Sequence, residues 1–64
     1  MYYQHYKGGK YLFLHEGYHS ETHERLIIYK SMQDGKVWVR PADMFFGKVN
    51  VDGEEIRRFY PIEG

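Results

Sequence analysis

Apolar and aromatic positions fall in short runs along the chain, and each run is cut by glycine, proline or an Asp-Gly pair. Residues 2–6 are rich in aromatics and stop at Lys7-Gly8-Gly9-Lys10. Two adjacent glycines between aromatic runs predict a tight hairpin turn, because glycine takes positive φ without a Cβ penalty. Residues 11–15 (Tyr-Leu-Phe-Leu-His) form a short apolar run of the kind a core strand shows. The polar stretch 17–24 is the longest loop the pattern predicts. Residues 25–30, β-branched at their centre, predict a central strand. Asp34-Gly35 closes a second hairpin, and residues 36–40 return as the partner strand until Pro41 ends it. Residues 41–46 fit one helical turn with Pro41 at its first position. Residues 48–51, the Asp52-Gly53 turn and residues 54–60 complete a last hairpin. The helix formers of residues 20–25 are too few to stand as a helix without packing.

Five to six short antiparallel strands with one short helical turn place the chain in the all-β class. The expected architecture is a small SH3-like barrel, with residues 1–64 as a single domain. A chain of 64 residues buries only about 60% of the surface it exposes when unfolded. With no cysteine, it has no disulfide and no thiolate metal site to hold it together. Seven Tyr, four Phe and one Trp take that role, each ring able to bury roughly 150–250 Å².

Charge narrows the partners. Nine basic residues balance nine acidic ones, so the chain lacks the excess of Lys and Arg that drives binding to phosphate backbones. The sequence thus carries no strong nucleic-acid signature. No apolar run approaches the ~20 residues of a membrane span, and the first ten residues do not follow the basic-then-apolar order of a signal peptide. A cytoplasmic setting is expected, and no residue set calls for a cofactor.

His15-Glu16-Gly17-Tyr18-His19 matches H-E-x-x-H in letters. That motif binds zinc because a helix sets two histidines one turn apart. Here His15 ends a strand pattern and Gly17 opposes helix, so the zinc reading fails. His15, His19, Glu21, His23 and Glu24 could still meet a metal if their loop coiled into a turn, but no metal site is assigned. Ser20 beside His19 lacks a third group to form a nucleophilic triad. Trp38 and Arg40 share one face of a strand by two-residue alternation, with Val37 and Val39 on the other. With the valines inward, Trp38 and Arg40 would form a partly exposed surface that stacks on a flat ligand and forks to an anion. Otherwise Trp38 completes the core and Arg40 pairs with Glu24 or Asp43. Arg57 and Arg58 point to opposite faces and make no joint patch.

Four groups of residues occur in a fixed order: Tyr3-x-His5-Tyr6-Lys7-Gly8-Gly9-x-Tyr11, His19-Ser20-Glu21-Thr22-x-Glu24, Trp38-Val39-Arg40-Pro41-x-x-Met44-Phe45, and Asp52-Gly53 with Arg58-Phe59. In this the chain resembles the bacterial domain-of-unknown-function 1653 family over nearly its whole length. The resemblance implies no established activity. It does imply that His5, His19, Glu21, Thr22, Glu24 and Arg40 match polar positions of the family pattern. It also implies that the family carries small residues where this chain has His15, Glu16 and Tyr18, so the H-E-x-x-H run is peculiar to this sequence.

The leading expectation is a non-enzymatic binding module with a shallow site. His19, Glu21, Thr22 and Glu24 would supply a loop lying across one barrel end beside Trp38 and Arg40, with His5 and Arg58 as secondary candidates. The ligand would be a small metabolite, a nucleotide or a peptide. Two other classes stay open: a structural domain that self-associates or docks on a protein, and a small metal- or His-dependent enzyme using His19 as general acid or base with Glu21 or Glu24 as its orienter.

Overall fold

The computed structural model describes residues 1–63, in seven strands and one helical turn. These are β1 (Tyr2–His5), β2 (Lys10–Tyr18), β3 (Arg25–Ser31), β4 (Val37–Pro41), α1 (Ala42–Phe45), β5 (Lys48–Val51), β6 (Glu54–Arg57) and β7 (Phe59–Ile62). Strands β1 to β4 run as an antiparallel meander, and β7 returns to pair with β1. The order across this five-stranded sheet is β4-β3-β2-β1-β7, while β5 and β6 form a separate two-stranded ribbon. The all-β expectation holds. A closed barrel does not form among the described residues: β4 and β7 are the two edges of the sheet, each hydrogen-bonded to one neighbour.

The turns follow their chemistry. His5 and Gly9 close the first hairpin, with Gly8 at φ 101° and Gly9 at φ 96°. Asp52 (φ 53°) and Gly53 (φ 81°) both sit in the left-handed region, the backbone that lets a two-residue turn match strand twist. Asn50 Oδ1 accepts the Gly53 N–H at 3.0 Å across that turn.

Three boundaries differ from those expected. Strand β2 runs on to Tyr18, because Gly17 pairs with Leu26 and Tyr18 with Arg25, so the loop shrinks to residues 19–24. Pro41 is the last residue of β4 and the N-cap of α1 (φ −54°, ψ 139°), not the first helical residue. The expected strand over 54–60 breaks at Arg58. There the Arg58 N–H donates to the Gly47 carbonyl at 3.0 Å, and the Arg58 carbonyl accepts the Tyr6 N–H at 2.9 Å. One residue thus ties the base of the ribbon to the end of β1.

One face of the large sheet carries the core. Ile27 and Tyr29 of β3, Phe59 of β7, and Ala42 and Phe45 of α1 are buried, with Tyr3, Tyr11 and Phe13 packed against them. The Phe45 ring lies parallel on Phe59, centroids 4.3 Å apart and planes 10° from parallel. Tyr3 and Tyr29 approach Phe45 at 5.2 Å. A bulge between Phe13 and His15 shifts the alternation of β2. Glu16 therefore stands opposite Ile27 and forms an ion pair with Arg25.

Candidate functional site

Register decides which way β4 faces. Trp38 lies opposite Tyr29 and Arg40 opposite Ile27, both buried, so Trp38 and Arg40 stand on the core side and the valines on the outer side. This reverses the orientation in which Val37 and Val39 point inward. Yet Trp38 does not fill the core either. Strand β4 is an edge, so Trp38 sits at the rim of the sheet's inner face, 47% exposed.

Trp38 and Arg40 line a cavity of 190 Å³ together with His5, Tyr11, Tyr29 and Phe59. Three of its lining rings meet edge to face: Tyr11 meets Tyr29 at 5.5 Å and Phe59 at 5.6 Å, and Tyr29 meets Phe59 at 5.4 Å. Arg40 is held from two sides. Its Nε donates to the Tyr29 hydroxyl at 3.2 Å, and its guanidinium carbon lies 5.6 Å from the centroid of Phe59. That contact carries the inner face from one sheet edge to the other. The pairing of Arg40 with Glu24 or Asp43 does not occur. Among the described residues no carboxylate lies within 4.0 Å of Arg40, and Glu24 and Asp43 instead line a second cavity with Arg25, Ala42 and Phe46.

His5 forms the opposite wall, its ring edge-on to Phe59 at 4.9 Å. Its Nδ1 accepts the backbone N–H of Lys7 at 3.1 Å, which puts the proton of the neutral imidazole on Nε2 as a donor. Partial burial first, then the charges of Arg40, Arg58 and Lys7, hold its pKa below the usual histidine value. Every charge that shifts His5 is positive. Arg58 is fixed beside it, its Nε donating to the Met44 carbonyl at 3.1 Å.

This shift has a sign that can be measured. A histidine whose folded pKa lies below 6.5 adds stability that is complete above the unfolded value and falls as pH drops through the folded one. Denaturation midpoints should therefore decrease as pH falls below the ordinary histidine value of about 6.5, and His5→Gln should flatten part of that slope. An unchanged slope would show that His5 is not desolvated.

The loop of residues 19–24 lies elsewhere. It follows the Tyr18–Arg25 pair, whereas Trp38 sits opposite Tyr29, about 16 Å farther along β3 from Glu24 at ~3.3 Å per residue. The cavity at Trp38 includes none of residues 19–24, so the composite site of loop and strand does not assemble. The loop's polar groups build its own turn. His19 Nδ1 accepts the N–H groups of Glu21 (3.1 Å) and Thr22 (3.2 Å), and Thr22 Oγ1 accepts that of Glu24 (3.2 Å). His19 is thus oriented by backbone rather than by the Glu21 or Glu24 carboxylate. His15 to Tyr18 lie in β2, so the H-E-x-x-H letters carry no helix. Among the described residues no group of three His, Asp or Glu is placed to hold a metal.

Sequence reasoning found Trp38, Arg40 and His5 but did not name Tyr11, Tyr29 or Phe59 as site residues. The Asp34-Gly35 turn sets the register that places Tyr29 opposite Trp38, a signal present in the sequence. The pairing of His5 with Phe59 spans most of the chain and leaves no local trace.

A family model described as a protein of unknown function (DUF1653) matches residues 1–61. No curated protein matches the chain, and no solved structure does.

Proposed function

We propose that this chain, which belongs to the DUF1653 family of proteins of unknown function, is a non-enzymatic binding module. Its site is the cavity of Trp38, Arg40 and His5, and its ligand is anionic at one end and flat at the other. The observation that carries the reading is Arg40, held by Tyr29 and Phe59 with no carboxylate of the described residues beside it. A pre-positioned guanidinium loses little freedom on binding, and its planar fork suits a carboxylate or phosphate. The Nε2–H of His5 adds a second donor, and the half-exposed face of Trp38 is free to stack.

The scaffold reads as an SH3-like barrel opened along the seam between β4 and β7. The meander of β1 to β4, the single helical turn and the return of β7 to β1 support that reading. The β5–β6 ribbon is then an insertion before the last strand.

Titration of the isotopically labelled protein with inorganic phosphate, adenosine monophosphate and benzoate tests the function. Amide shifts should centre on His5, Trp38 and Arg40 and leave residues 19–24 still. Arg40→Gln should weaken the nucleotide about 10- to 100-fold, the ~1.5–3 kcal/mol of a charged hydrogen bond. Shifts confined to residues 19–24, or none with all three probes, would remove this site from consideration.

A further inference from the structure

Among the described residues no strand pairs with the outer edge of β4. Ser31 N–H donates to the Lys36 carbonyl at 2.8 Å, which makes that pair a hydrogen-bonded one. Antiparallel pairs alternate, so Trp38 and Arg40 also bond to β3, while the N–H and C=O groups of Val37 and Val39 point away from it. Val37 and Val39 are 56% and 58% exposed. The opposite edge, β7, contains Pro61, which has no N–H to offer a partner strand. Natural edges are commonly blunted by proline or a bulge. In β4 proline comes only at the last residue.

We infer that β4 accepts an extended acidic segment of a partner protein as an added strand. Hydrogen bonds to Val37 and Val39 would fix the segment in place. Its inward-facing residues, two apart, would then lie beside Lys36, Trp38 and Arg40. Lys36 Nζ stands 5.9 Å from the Trp38 ring, and Arg40 follows two residues on along the same face. Residues 36–40 contain two cations and no carboxylate. The matching segment carries an acidic side chain, an apolar or flat one and another acidic one at i, i+2 and i+4. A second copy of this chain fits poorly, because two-fold antiparallel pairing centred on Trp38 sets Lys36 against Arg40, and like charges directly opposite oppose pairing. The inference rests on the proposed anion site only for the carboxylate that meets Arg40; the strand pairing rests on the free edge.

The probe is a peptide capped at both ends, Ser-Glu-Thr-Tyr-Thr-Glu-Ser, beside a version with Lys in place of Glu. On adding the Glu peptide to the unaltered protein, hydrogen exchange at the Val37 and Val39 amides should slow at least tenfold, and the Lys peptide should leave it unchanged. Val39→Pro removes one edge donor at a position that asks nothing of β3. It should lose the Glu peptide yet keep the phosphate shifts at Arg40, whereas Arg40→Gln should weaken both. Equal binding of the two peptides, or full binding by Val39→Pro, would overturn the inference. So would protection of the Val37 and Val39 amides in the protein alone that grows with its concentration, which would assign the edge to a second copy. Loss of phosphate binding with slowed exchange intact would count against the cavity and leave the strand pairing standing.

Discussion

Phe45→Ala is expected to leave the chain largely unfolded in dilute buffer. Phe45 is fully buried, stacked on Phe59 at 4.3 Å and met by Tyr3, Tyr29 and Phe46 at 5.2, 5.2 and 5.0 Å. It is the plug that α1 sets onto the inner face of the curled sheet. Removing a buried ring costs about 3–5 kcal/mol. At roughly 0.05–0.15 kcal/mol per residue the whole domain holds only about 3–10 kcal/mol, with no disulfide in reserve. Loss of dispersed amide resonances would report the collapse, and Trp38→Ala is the control. Trp38 is half exposed at a sheet rim, so its removal should cost far less and leave the spectrum dispersed. Should Phe45→Ala keep native dispersion, the rings would not be what holds this fold together.

Two kinds of information were legible in the sequence to different depths. Local chemistry was: Gly8-Gly9, Asp34-Gly35 and Asp52-Gly53 each mark a turn, and the β-branched centre of β3 became the middle of the meander. Such signals act within a few residues and need no knowledge of the rest of the chain. The edge of the sheet was not legible. Whether β7 closes against β4 or stops short is a contact between the two ends of the sheet, which no local run of residues encodes. The break at Arg58 was hidden for the same reason, since its backbone partners are Gly47 and Tyr6, far apart in sequence.

The candidate site divides in the same way. Pairing Trp38 with Arg40 needed only the two-residue period of a strand. Their orientation needed the register across the Asp34-Gly35 turn, and there alternation alone allowed either answer. The loop at residues 19–24 drew attention because it is dense in His, Glu and Thr. Its side-chain hydrogen bonds run inward to its own backbone, so His19 and Thr22 serve the turn. A left-handed His23 at φ 63° is part of that turn, and spacing in the sequence does not announce it. A cluster of polar residues in a short loop has two uses, and only the direction of the hydrogen bonds separates them.

Gly47→Ala is the second large effect expected, and its cause is contact rather than backbone freedom. A Cβ at Gly47 would lie 2.5 Å from the Asp43 carbonyl oxygen and 3.6 Å from that of Met44. Neither is the tip of a flexible side chain, so the end of α1 or the start of β5 must move. Overpacking of this kind costs about 1–3 kcal/mol, a large share of the stability of so small a domain. The urea midpoint should fall while the slope stays constant, the mark of lost stability without a changed unfolded state. The strain should also reach the cavity. Gly47 accepts the Arg58 N–H, and Arg58 donates from Nε to Met44, so displacing this corner displaces a cation that holds the His5 pKa down. In Gly47→Ala the pKa of His5, followed by its ring resonances, should rise toward the ordinary value. A lowered midpoint with an unmoved His5 would mean that the helix corner steadies the fold but does not set the field at the site.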